Sequence, residues 1–109
     1  MDETMARLTC CELDDFLAAM SNETRQRILG LLRDHEMSVN ELTYHFAVTQ
    51  PTISHHLAIL RRARLISARR DKRQIFYRAN PDCVAECCRE IQTRFHLPVT
   101  TKVSERGRQ

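Results

Sequence analysis

The chain has no tryptophan and only two glycines and three prolines in 109 residues, and each scarcity removes a class of protein. So little Gly and Pro leaves small room for linkers or disorder, so one compact domain is expected. There is no Gly-rich phosphate loop, no nucleophile elbow and no carboxylate pair arranged for acid–base work, which argues against an enzyme. Cys-x-x-Cys and a βαβ pattern are also missing, which argues against a small thiol–disulfide enzyme. No apolar run approaches membrane-spanning length and no signal-peptide pattern opens the chain, so the expectation is a soluble cytoplasmic protein with no membrane partner. Internal repeats and low-complexity segments are lacking too. Residues 100–109 are polar and without an apolar stripe, and read as a flexible tail behind a domain of residues 1–99.

What is present is a strongly polarised charge pattern. The formal net charge is +3, but residues 49–78 carry Arg61, Arg62, Arg64, Arg69, Arg70, Lys72, Arg73 and Arg78 against Asp71 alone, a net +7. Residues 1–48 hold four basic and nine acidic side chains, a net −5, and residues 79–109 hold five and four, a net +1. Positive charge concentrated in one segment suits phosphate contact and counterion release, whereas the modest total argues against indiscriminate polycation binding.

That basic segment overlaps a run of recognisable elements, Ser38 to Arg78. Ser38-Val39-Asn40-Glu41 is a capping box opening a helix that continues through Leu42 and Phe46. Thr49-Gln50-Pro51 then starts a second helix, with threonine as cap and proline in the first turn, so the two helices meet at a short joint. On the second helix Ile53, Leu57 and Leu60 form a core-facing stripe, while Gln50, Thr52, Ser54, His55 and His56 crowd its N-terminal half with groups able to read base edges. Residues 65–68 and 74–77 have strand composition and flank Arg69-Arg70-Asp71-Lys72-Arg73, a two-stranded wing with a cationic tip.

The remainder supplies three more helices. Leu13, Phe16, Leu17 and Met20 recur at helical spacing, and Ile28, Leu29, Leu31 and Leu32 do so after a break at Ser21-Asn22. The last helix starts at Asn80-Pro81, with Asn80 as cap and a stripe of Val84, Cys87, Cys88, Ile91 and Phe95. The fold class expected is therefore mainly α with a small β-hairpin: a winged helix-turn-helix of five helices plus a wing. The first and last helices keep apolar surface for a homodimer, which would set two reading helices on successive turns of a palindromic site.

Five cysteines in a chain without an export signal argue against a disulfide framework, since the cytosol is reducing and the number is odd. All lie outside the reading unit. Cys10-Cys11 precede the first helix; Cys83, Cys87 and Cys88 occupy the first turns of the last, where free backbone N–H groups favour a thiolate at Cys83. At ~100° per residue Cys83 and Cys87 share a face, while Cys83 and Cys88 are about 140° apart. Either the first turn distorts, so that Cys83, Cys87 and Cys88 converge, or Cys10 or Cys11, of the same or a partner chain, joins Cys83 and Cys87. A site of three thiolates suits trivalent arsenic or antimony, or mercury, better than zinc, which wants four ligands and usually imidazole. His45, His55 and His56 lie in the reading unit and His35 and His96 are isolated. Against all this, Cys87 and Cys88 can simply fill apolar positions of the helix.

At Val48-Thr49-Gln50-Pro51-Thr52-Ile53-Ser54-His55-His56-Leu57, with residues 19–29 before it and Ser38 to Leu42 between, the chain resembles the ArsR/SmtB family of metalloregulatory repressors, over about residues 12–95. The resemblance implies a homodimeric repressor that leaves double-stranded operator DNA when a thiophilic ion binds. It also implies base reading by Gln50, Thr52, Ser54 and His55 and wing contacts by Arg70, Lys72 and Arg73. The Cys-Val-Cys that many arsenic and cadmium sensors carry before the reading helix is replaced here by Glu41-Leu42-Thr43-Tyr44-His45. Of the last-helix zinc ligands only Asp82 and a distant His96 remain. The last-helix sulfurs resemble relocated arsenic sites of other members, and Cys10-Cys11 an N-terminal pair in some. The reading is thus an arsenic-resistance repressor with no constitutive cofactor, induced by As(III), or by Sb(III) or another thiophilic ion, bound through Cys83, Cys87 and Cys88, with Cys10 and Cys11 as additional candidate ligands. The alternatives are a redox or persulfide switch, for which the family's cysteine near the second helix is absent here, and a mercury or cadmium sensor.

Overall fold

A computed structural model describes residues 10–98; the flexible tail expected at 100–109 lies outside them. Among the described residues the order is α1 Leu13–Met20, α2 Glu23–Asp34, β1 Met37–Ser38, α3 Val39–Thr43, α4 Gln50–Arg62, β2 Ile66–Asp71, β3 Gln74–Ala79 and α5 Pro81–Arg94. No described helix is long and apolar enough to cross a membrane.

Local chemistry sets most boundaries. Asn22 Oδ1 accepts the Arg25 backbone N–H at 3.0 Å and starts α2, satisfying one of the donors a helix N-terminus leaves free. The α3 capping box is complete, with Glu41 N–H donating to Ser38 Oγ (3.2 Å) and Ser38 N–H to Glu41 Oε1 (2.8 Å). α4 ends in a Schellman arrangement: Arg64 N–H donates to Arg61 O and Leu65 N–H to Leu60 O, with Arg64 at φ 63°.

Three boundary expectations need correcting. α3 stops at Thr43 and does not continue to Phe46, because His45 and Phe46 donate to Leu42 O and Thr43 O in tighter turns. Thr49 makes no capping bond; its Oγ1 lies 3.0 Å from Thr52 Oγ1 instead. Asn80 likewise does not cap α5 with its side chain, which donates to Arg64 O at 3.1 Å and ties the start of α5 to the end of α4. On α1 Phe16 and Ala19 face the core, while Leu17 is exposed.

The sheet has one strand more than expected. Met37 and Ser38 pair with Tyr77 and Phe76, giving the antiparallel order β1-β3-β2. Arg69 and Arg70 belong to β2, opposite Phe76 and Ile75, so the wing loop is only Lys72-Arg73. Between the helices and this sheet lies one core containing Ile28, Leu42, Ile53, Leu57, Leu60 and Leu65, all at 1% exposure or less. Burying side chains of this size contributes about 1.5–3 kcal/mol each. The core thereby holds α4 with its polar face outward.

Candidate DNA interface and sulfur cluster

With Ile53, Leu57 and Leu60 fixed in the core, helical geometry turns Gln50, Ser54 and His55 to solvent and leaves Thr52 half-buried. Arg70, Lys72 and Arg73 are exposed at the end of the wing. The reading helix and wing face a common cleft of about 330 Å³ whose lining includes Asn40, Gln50, Ser54, Arg73, Gln74 and Tyr77. Gln50 Nε2 also donates to Asn40 Oδ1 across the joint. The cleft thus brings together three of the residues expected from sequence and adds Asn40, Gln74 and Tyr77. Asn40 is a polar residue in the first turn of the capped helix, a signal available in the sequence. Gln74 and Tyr77 enter only through strand register. His56 departs from the expected polar face: it is half-buried, and its ring meets Arg25 rather than open solvent.

Two braces hold this surface. Arg27 on α2 lies over the Phe46 ring at 4.7 Å and donates to His45 O at 3.4 Å, so it supports the joint. Arg69 on β2 makes a bidentate pair with Glu36, Nε to Oε2 at 2.7 Å and Nη2 to Oε1 at 2.8 Å. The bond from Arg69 is the main reason the Glu36 carboxyl sits below its ordinary pKa. Both groups are solvent-facing, so the pair orients the wing more than it stabilises the fold.

The cysteines form a second cluster at the other end of the chain. Cys10 is disulfide-bonded to Cys83 and Cys11 to Cys87, with Cα–Cα distances of 5.6 and 5.2 Å. The expectation of no disulfide framework is therefore corrected. It rested on compartment and on the odd count, and neither says which thiols are neighbours; the odd cysteine is Cys88, free and exposed. Cys87 is fully buried and Cys83 half-buried on one face of an unbroken α5. Cys83, Cys87 and Cys88 are not brought together; Cys83 and Cys87 each meet an N-terminal cysteine instead. The Cys10 backbone N–H also donates to Glu86 Oε1 at 3.3 Å. Among the described residues no three His, Cys, Asp or Glu side chains are grouped to hold a metal ion.

Residues 22–68 match the family described as "Bacterial regulatory protein, arsR family". The transcriptional repressor SdpR of Bacillus subtilis is 38% identical over 68 residues, covering 62% of this chain and 76% of that protein. The chain belongs to the arsR family of bacterial regulatory proteins. Another arsR-family relative, the arsenical resistance operon repressor of Staphylococcus aureus, is 36% identical over 69 residues, 63% of this chain and 66% of that one. A crystal structure described as a possible transcriptional regulator for arsenical resistance superposes with a TM-score of 0.67 at 33% identity, covering 76% of this chain and 88% of that chain. Other relatives are spanned over only 56% to 58% of their length. Family membership makes this chain a DNA-binding transcription regulator and accounts for the winged architecture.

Proposed function

We propose that this arsR-family repressor binds a palindromic operator as a homodimer and releases it when trivalent arsenic, or antimony, binds the sulfurs of Cys83 and Cys87 together with Cys10 or Cys11. The observation carrying this reading is the seating of Cys10 and Cys11 on Cys83 and Cys87, which sets two pairs of sulfurs one turn apart on α5. In the reduced form three thiols replace the three hydroxyls of As(OH)3 and release three waters. Such a soft, three-sulfur donor set matches the ion. Cys88, exposed on another face, is left out of the set. Gln50, Thr52, Ser54 and His55 would read bases, and Arg70, Lys72 and Arg73 would hold phosphates. The arsenical-resistance relatives support the choice of inducer. Exposed Leu17, Phe95 and Leu97, at 48%, 61% and 50%, give α1 and the end of α5 the apolar surface for the second copy.

The test is operator binding by Cys83→Ser and Cys87→Ser proteins with and without arsenite. Each substitution is expected to abolish most of the release, and normal release by both would place the site elsewhere.

The two disulfides favour a second reading, a redox switch. Each pair of thiols gives up two electrons and two protons to an oxidant such as peroxide, which is reduced to water. Mass spectrometry after peroxide or polysulfide treatment, set beside arsenite release, distinguishes the two inducers.

A further inference from the structure

Arg25 spends its guanidinium on two elements at once. Nε donates to Ala19 O at 2.8 Å and Nη2 to Ala18 O at 3.0 Å, so the cation closes the C-terminal end of α1, where orphan carbonyls and the negative helix end favour it. Nη1 lies 3.1 Å from Nδ1 of His56 on α4. Arginine has donors only, so Nδ1 must be the unprotonated acceptor and the ring proton sits on Nε2. Burial, aided by Arg25 and His55, holds the His56 pKa below its ordinary value, which agrees with a neutral ring. The Arg25 main chain is fixed as well, since its N–H donates to Asn22 Oδ1. A planar, pre-organised fork therefore joins the end of α1 to the middle of the reading helix.

α1 has the sulfur cluster at its other end. It begins at Leu13, two residues after Cys11, which is bonded to Cys87. Eight helical residues make a rod of ~12 Å, with thiol chemistry at one end and the Arg25 fork at the other. Phe16 and Ala19 pack the rod into the core, but apolar packing is non-directional. The fork is directional, and through it the end of α1 gains a polar link to α4. Gln26, whose Nε2 donates to Met20 O at 2.7 Å, also holds the end of α1.

We propose that Arg25 is the positioning residue that transmits the state of the sulfur cluster from α1 to the reading helix through His56. The proposal rests on the functional reading above, in which chemistry at the cysteines governs operator release. The quantity to measure on the full-length chain is the ratio of operator dissociation constants with and without arsenite, repeated with the thiol oxidant diamide. Allosteric couplings of this kind give ratios of about 5 to 150. His56→Phe keeps a ring and removes the acceptor; Arg25→Gln removes the fork. Both are expected to take up arsenite with wild-type stoichiometry while the ratio collapses to within about threefold of one, losing most of that coupling. His56→Asn places an amide oxygen where Nδ1 was and restores the ratio, and Gln26→Ala keeps it.

A second measurement needs no variant. The ring nitrogen signals of His56 in the wild-type protein are expected to shift when arsenite or diamide reacts at the cysteines. Wild-type ratios in both His56→Phe and Arg25→Gln, or unmoved His56 signals while the sulfurs demonstrably react, would overturn the transmission role and leave the functional reading standing. A wild-type protein that keeps its operator under both reagents defeats the functional reading, and the transmission role with it.

Discussion

At the residue scale, three described side chains occupy backbone positions that suit glycine better. Arg64, Lys72 and His96 have φ of 63°, 61° and 56°, a region where a Cβ crowds the following carbonyl. Arg64 is exposed and the bonds that end α4 there are made by backbone atoms, so Arg64→Gly keeps them. The gain from relieved strain outweighs the greater freedom of glycine in the unfolded chain, and the variant is expected to be about 0.5–1 kcal/mol more stable, read as a higher urea midpoint at unchanged slope. Lys72→Gly separates two properties. As the first residue of a two-residue hairpin loop it should also stabilise the wing. It removes a wing cation, however, so operator affinity should fall for all sequences and the salt-dependence slope drop by about one. His56 supplies a pH effect. Its folded pKa lies below the ordinary histidine value of 6.5, through burial and the fields of Arg25 from α2 and His55 from its own helix. The unfolded chain then binds more protons as pH falls below 6.5, so the stability contributed by the neutral ring is present above that value and lost as pH drops through the folded pKa. Thermal unfolding from pH 7.5 to 5.5 should show this loss in the wild type and less of it in His56→Asn.

Elements here are short, and tertiary contacts finish what their sequences begin. α3 has only five residues, fewer than an isolated helix needs, so its capping box and the buried Leu42 must supply its stability. Ser38→Ala removes the cap and is expected to cost about 1 kcal/mol. Its hydroxyl is the acceptor lost; the β1 backbone pairing with Phe76 remains. α4 depends on its apolar face in the same way. Leu57→Ala, at a position 1% exposed, should cost about 2–5 kcal/mol and weaken operator binding only through the unfolded fraction. Chemical denaturation measures the first effect, and binding corrected for folded protein the second. The wing relies on the Glu36–Arg69 pair for its orientation, and because the Glu36 pKa is lowered, the pair persists until the pH falls below the ordinary value of 4.5.

The whole molecule separates its tasks along the chain. The basic reading helix and wing occupy residues 49–78, the paired cysteines sit at residues 10, 11, 83 and 87, and three of the five exposed large apolar side chains among the described residues, Leu17, Phe95 and Leu97, lie on or beside the terminal helices. If these residues form the proposed subunit contact, Phe95→Glu dissociates the dimer, seen by sedimentation as a monomer of the 12.8 kDa chain. It should also weaken operator binding, since a monomer engages one half-site, while the unfolding midpoint of the monomer stays near that of the wild type. A retained dimer with full operator affinity would move the subunit contact elsewhere.

Short-range sequence patterns encode the helices, the wing, the polar face of α4 and the segregated charge. Those features are local: a capping box spans four residues, an apolar stripe repeats each turn, and a charged segment is contiguous. The sequence also placed the cysteines on the two terminal segments. Tertiary structure alone decided which groups meet. Met37 and Ser38 form a strand because β3 is beside them, and two residues are too few for an alternating pattern. Asn80 reaches Arg64 O rather than its own helix, and His56 turns from the expected polar face to Arg25, 31 residues away. The sulfur pairs close separations of 73 and 76 residues. No periodicity encodes a contact between distant segments; packing the helices around one core does.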